Sequence, residues 1–155
     1  MDLYSNNQVY IIAEIGINHE GSVDKCASMI HEAALAGANA VKLQTIDAEL
    51  NYVIGSDSYN IFKGSELSRE ETASMFKLAR ANGLDVFTTA GDIDTVKWVD
   101  KLSPNFWKIS SGLLTHIPII NFIASLGRPL IFSTGMANYE DIDLAIKTAH
   151  LVGNK

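Results

Sequence analysis

The stretch Ala40-Val41-Lys42-Leu43-Gln44-Thr45 reads as a buried strand, yet it sets a lysine between apolar neighbours and follows it with hydrogen-bonding side chains. Trp107-Lys108-Ile109-Ser110-Ser111 repeats the pattern. A buried strand seldom tolerates an unpaired ammonium, because desolvating a charge is costly unless an opposite charge or a ligand compensates it. Two such lysines near two strand ends therefore point to an anionic ligand.

Outward from these stretches, the apolar pattern alternates between short β-rich runs and helix-length amphipathic runs, the signature of βα units around a parallel sheet. Strands are expected at residues 9–14, 40–45, 84–89, 106–110 and 129–133. Helices are expected at 23–35, 69–81, 93–102, 118–125 and 139–152. Ser22 reads as an N-cap with Gly37 as the stop, and Ser68 with Glu71 forms a capping box. Cys26, Met29, Ile30, Ala33 and Ala34 make the apolar stripe of the first helix. Trp98 falls on the buried side of the third.

Five βα units match the beginning of a (β/α)₈ TIM barrel, which typically takes about 250 residues. A complete five-stranded doubly wound sheet needs the same elements, and periodicity does not separate the two. In either fold a ligand lies at the carboxyl ends of the strands. Those ends are polar here: Glu14 through Gly21, Lys42 and Gln44, Thr88 and Thr89, Lys108 through Gly112, and Ser133-Thr134-Gly135-Met136. Alternation puts Lys42 with Gln44, and Lys108 with Ser110, on one face of their strands, the lumen in a barrel. Ammonium groups, hydroxyls and glycine-flanked amides are donors suited to a phosphate and a carboxylate. Glu14 is placed to balance a lysine or to hold a proton or hydroxyl of a substrate.

The segment 46–67 is longer than compact domains usually leave unstructured. It either folds over the site, offering Asn51, Tyr52, Tyr59 and Phe62 to a sugar, or packs on itself as a surface loop. His19 reads as a structural loop histidine, since no second histidine or cysteine stands at ligand spacing.

With 155 residues, 47% of them hydrophobic, the chain is long enough for one well-packed domain. A net charge of −6 argues against nucleic acid or a membrane surface as partner, so any positive site is local. The single cysteine, Cys26, rules out an intrachain disulfide and fits a reducing cytoplasm. Residues 1–7 lack the basic and then apolar start of a signal peptide, and no apolar run approaches the roughly 20 residues that span a bilayer.

Taken together, the motifs at 13–21, 41–45, 108–112 and 133–136 resemble the sialic acid synthase family, the N-acetylneuraminate synthases and related enzymes. The likeness runs along nearly the whole chain. It implies a (β/α)₈ barrel followed by a small antifreeze-like domain, with residues 1–155 as the amino-terminal portion and the remaining strands and that domain absent. Such enzymes condense phosphoenolpyruvate with an open-chain N-acetylated amino sugar, giving a nine-carbon 2-keto acid and phosphate with help from a divalent metal, manganese or magnesium. Carried over by motif, Lys42, Thr89, Lys108, Ser111 and Ser133 would hold phosphoenolpyruvate with Thr134 and Gly135 beside them. Gln44 would touch the sugar, and Glu14, Lys42 and Lys108 are the catalytic candidates. Ser111 is taken from the motif where strand parity favours Ser110.

No metal ligand is expected in this stretch, and a homodimer is the expected assembly. Leu113 stands where the family has a carboxylate, and Thr88-Thr89-Ala90-Gly91 where it has Ser-Thr-Pro-Phe, so the following turn should differ. A different reading is a non-catalytic phosphate- or phosphosugar-binding half-barrel that pairs its open edges with a second copy.

Overall fold

The computed structural model describes residues 9–154; the amino-terminal heptad read above lies outside them. Five strands, β1 (Ile12–Gly16), β2 (Ala40–Thr45), β3 (Asp85–Ala90), β4 (Trp107–Ile109) and β5 (Leu130–Phe132), form one parallel sheet in the order β1-β2-β3-β4-β5. The helices are α1 (Val23–Leu35), α2 (Ala48–Asn51), α3 (Asp57–Gly64), α4 (Arg69–Ala81), α5 (Ile93–Asp100), α6 (Ile117–Ser125) and α7 (Tyr139–Leu151). Crossovers between parallel strands are right-handed, so strictly sequential order carries every connection to the same side of the sheet. A doubly wound sheet must reverse its order at a switch point. The chain is therefore a partial (β/α)₈ barrel, and the doubly wound alternative is excluded.

Local chemistry sets the helix starts. The Ser22 hydroxyl accepts from Lys25 N–H at 3.2 Å. Ser68 and Glu71 close the expected capping box at 3.1 and 2.7 Å, and Asn138 with Asp141 makes a second one on α7. Asp92 caps α5 through Thr95 N–H at 2.7 Å.

Two cores result. Between sheet and helices, Val41, Leu43, Val86, Trp107 and Ile109 meet Ile30, Met75, Phe76, Ile120 and Ile123. Each fully buried side chain of this size contributes about 1.5 to 3 kcal/mol. On the lumen side Ala40, Phe87 and Phe106 gather Tyr10, Ile12 and Ile131. Phe87 and Phe106 meet edge to face at 5.3 Å. Below them the Tyr10 hydroxyl donates to Asp85, whose other oxygen accepts from Asn105 at 2.5 Å. Burial and that neighbouring carboxylate push the Tyr10 pKa upward. This polar plug closes the amino-terminal end of the half-barrel lumen.

Several boundaries differ from the expectation. β1 begins at Ile12 rather than residue 9, because the ladder starts at Ile12↔Ala40 and the Ile11 N–H is taken by the Asn39 side chain at 2.7 Å. Ile15 bulges out of register between Glu14 and Gly16, and Gly16 takes φ +59, a left-handed conformation natural to glycine. β4 and β5 each lose a residue at both ends. α5 stops at Asp100, since Ser103 turns to φ +55.

The segment 46–67 is neither structureless nor a plain loop. Asp47 and Ser56 cap α2 and α3, Glu66 accepts from Ala48 N–H at 2.8 Å, and Tyr52 stacks on Phe62 at 4.7 Å. Among the described residues no helix is long and apolar enough to cross a membrane.

Candidate active site

Register fixes which side chains share the lumen. Glu14 pairs with Lys42, Gln44 with Thr89, and Thr89 with Lys108. These positions alternate with the helix-facing Val41, Leu43, Thr88, Trp107 and Ile109, so all four strands send polar side chains to one side. Below this ring lies the aromatic lumen core, and above it the strands end.

Lys42 is buried, and its Nζ lies 2.6 Å from a Glu14 oxygen whose side chain is mostly exposed. Lys108 is half-buried. Its Nζ donates to Ser133 Oγ at 2.5 Å and to Ile109 O at 3.1 Å, neutral partners without a carboxylate's charge. Burial lowers the Lys108 pKa; the Lys42 ammonium lowers it further, and Glu14 partly opposes the shift. Thr89, buried on the strand between the two lysines, completes the ring. An anion arriving here would meet one ammonium that has a counter-charge and one that has only dipoles.

The other positions named from sequence follow the ends of β4 and β5. Ser133 extends β5, with its N–H on Ile109 O at 3.0 Å. Thr134 and Gly135 follow on the exposed turn. Ser111 opens a single 3₁₀ turn, Ser111–Leu113, after β4. Ser110 caps that turn with extended backbone and lines a cleft of about 270 Å³ at the mouth, together with Gln44, Asn51, Tyr52, Thr89 and Leu113. Parity thus places Ser110 in the cleft and Ser111 at the start of the turn.

Sequence reasoning missed what holds this mouth in shape. Asn51 donates through Nδ2 to Asp47 O at 2.8 Å and to Asp92 Oδ2 at 3.0 Å, tying α2 to the cap of α5. Its Oδ1 lies over Gly91, where an added Cβ would come within 2.0 Å of it. Asp92 was not read from the sequence as the cap of α5, and its second use by Asn51 had no local signal. His19 is buried, its Nδ1 accepts from Gly21 N–H at 3.2 Å, and burial lowers its pKa. Among the described residues no three His, Cys, Asp or Glu side chains gather as a metal site.

Fold and site define a partial barrel protein with Lys42 and Lys108 in a polar ring at the carboxyl ends of its strands. The chain belongs to the NeuB family, whose model matches residues 29–155. It is 36% identical over 138 residues to an uncharacterized protein of Methanocaldococcus jannaschii, covering 89% of this chain and 41% of that one. It is 32% identical to the N,N'-diacetyllegionaminic acid synthase of Legionella pneumophila, covering 93% of this chain and 44% of the relative. Its backbone matches the crystal structure of N-acetylneuraminic acid (sialic acid) synthetase from Leptospira borgpetersenii serovar Hardjo-bovis in complex with citrate, with a TM-score of 0.92 and 28% identity over 96% of this chain and 52% of that one. The chain thus spans less than half the length of these two curated relatives.

Proposed function

We propose that these residues form the phosphoenolpyruvate-binding part of a synthase that joins phosphoenolpyruvate to an N-acetylated amino sugar, giving a nine-carbon 2-keto sugar acid and phosphate. The observation that carries this reading is the ring of Lys42, Thr89, Lys108 and Ser133 on one lumen face, with Lys108 hydrogen-bonded to neutral partners. A phosphate and a carboxylate on one small molecule would satisfy both ammonium groups at once.

In this scheme Lys42 and Lys108 hold the two anionic ends, Thr89, Ser111 and Ser133 add hydroxyl donors, and Thr134 and Gly135 border the site. Gln44, two residues beyond Lys42 on the same face, meets the sugar. C3 of phosphoenolpyruvate attacks the sugar aldehyde carbon, water adds at C2, and the tetrahedral intermediate releases phosphate by C–O cleavage. Glu14, beside Lys42 and open to the mouth, is the group placed to take a proton from that water. The divalent metal expected of the complete enzyme would be held by residues beyond those described, where it would supply Lewis-acid polarisation of the sugar aldehyde.

The reading also assigns this chain to the amino-terminal part of a longer barrel polypeptide, acting on small soluble substrates as a homodimer in the cytoplasm. The test uses the full-length protein with phosphoenolpyruvate, N-acetylmannosamine or another N-acetylated hexosamine, and manganese. Phosphate release matched by a nine-carbon keto acid in the mass spectrum is expected; no release with any such acceptor overturns the proposal.

A further inference from the structure

Next to the mouth, the β1–α1 loop, the end of β2, the segment before α4 and α4 itself enclose a pocket of about 20 Å³, room for one water molecule. Gln44 and Ile46 line both this pocket and the cleft at the mouth. The two spaces therefore share a wall.

The polar lining of the pocket is unevenly satisfied. Thr45 Oγ1 pairs with Thr88 Oγ1 at 2.9 Å, and the Glu66 carboxylate is held by Ala48 N–H at 2.8 Å and Lys63 at 3.1 Å. Ser65 Oγ donates to Ile61 O at 2.9 Å, which leaves its lone pairs free. His19 and Thr72 are each only 2% exposed, and no hydrogen bond from the described residues reaches His19 Nε2 or Thr72 Oγ1. Because His19 Nδ1 accepts from Gly21 N–H, the neutral ring carries its proton on Nε2. A buried donor and a buried hydroxyl without protein partners, beside a pocket of one water's size, form a polar deficit that a single water removes.

We infer that this pocket holds one water, which accepts from His19 Nε2–H and donates to Thr72 Oγ1 and Ser65 Oγ, and that His19 is thereby a positioning residue for the neighbouring cleft. Three bonds are what a buried water usually makes. The water ties the β1–α1 loop to α4 and to the segment 46–67. It reinforces a close approach of the same two parts of the chain, since a Cβ on Gly21 would stand 2.6 Å from Gly64 O. Phe62, stacked on Tyr52 of the cleft, lines the pocket as well. Loss of the water would let Gln44, Ile46 and Phe62 settle into the pocket, reshaping the cleft and not the lysine ring. The effect on the cleft rests on the proposed synthase reading; the water site does not.

The experiment pairs a crystal structure of the full-length protein, at a resolution that shows ordered water, with kinetics of three variants. The native structure should show one water within about 2.7 to 3.2 Å of both His19 Nε2 and Thr72 Oγ1. Thr72→Val removes the hydroxyl at nearly constant size. His19→Asn keeps an acceptor for Gly21 N–H but falls short of the pocket, whereas His19→Gln carries an amide donor to it. With phosphoenolpyruvate, manganese and the N-acetylated hexosamine the enzyme accepts, Thr72→Val and His19→Asn should raise the KM for the sugar several-fold, leaving kcat and the KM for phosphoenolpyruvate unchanged. His19→Gln should return the sugar KM toward its native value. A pocket without that water, a native sugar KM in Thr72→Val and His19→Asn, a parallel rise in both KM values, or a sugar KM as high in His19→Gln as in His19→Asn overturns the inference and leaves the synthase reading intact. No phosphate release with any acceptor overturns the synthase reading and the positioning role with it, and the crystal structure then decides the water site alone.

Discussion

At the scale of single residues, the two lysines are chemically unequal although their sequence settings match. Lys42 carries Glu14 as a counter-ion, whereas Lys108 leans on a hydroxyl and a carbonyl. Replacing either by methionine should weaken phosphoenolpyruvate binding by ~2 to 5 kcal/mol, the usual cost of removing one partner of a desolvated charge contact. Titration calorimetry on the full-length variants reads this directly, and native affinity in both would remove the lysines from the site. The depressed pKa of Lys108 gives a second prediction. Free protein holds the Lys108 proton less tightly than an ordinary lysine, and a bound anion restores it. Binding should therefore take up protons and lose affinity as pH rises through the depressed pKa, with full affinity below it. Calorimetry in buffers of different ionisation enthalpy measures the uptake; enthalpies independent of buffer would contradict it.

Among the elements, the segment between β2 and α4 shows how far local sequence reaches. The Ser68 and Glu71 cap was legible because both partners lie within one turn. α2 and α3 were not, since a four-residue and an eight-residue helix are too short for periodicity and are held by Glu66, the Tyr52 and Phe62 stack and the Asn51 tie. Parity was enough to put Lys42 and Lys108 on one face. The one-residue uncertainty between Ser110 and Ser111 arose because β4 stops at Ile109, after which alternation no longer applies. The departure at Ala90-Gly91 finds its physical reason in the same tie: any Cβ at 91 would collide with Asn51. Gly91→Ala should expel the Asn51 amide, costing about 1 to 3 kcal/mol of stability by overpacking. The denaturation midpoint of the full-length variant checks this, and no change would mean that Asn51 swings aside freely.

For the whole molecule, the sheet is a half-closed wall whose outer strands, β1 and β5, each have one neighbour. Some of the exposed apolar side chains belong to the segments next to those strands, Val9 and Ile11 before β1 and Met136, Tyr139, Leu144 and Leu151 after β5, while Leu50, Val53, Ile54 and Ile61 stand in the segment 46–67. Unpaired strand edges flanked by apolar surface favour association. Residues 1–155 expressed alone should self-associate heterogeneously in sedimentation experiments and release no phosphate from phosphoenolpyruvate. A discrete dimer binding phosphoenolpyruvate tightly would instead favour the self-assembling half-barrel module.

The strictly sequential strand order also bears on how the chain acquires its shape. Each strand from β2 to β5 finds a neighbour in the unit synthesised just before it, so no pairing must wait for a distant part of the polypeptide. The paired residues lie between 19 apart, as in Thr88↔Trp107, and 45 apart, as in Ala40↔Asp85, so each closure is regional rather than local. The sheet can therefore grow in one direction as the chain leaves the ribosome, with the lysine of β2 in place before that of β4 is made.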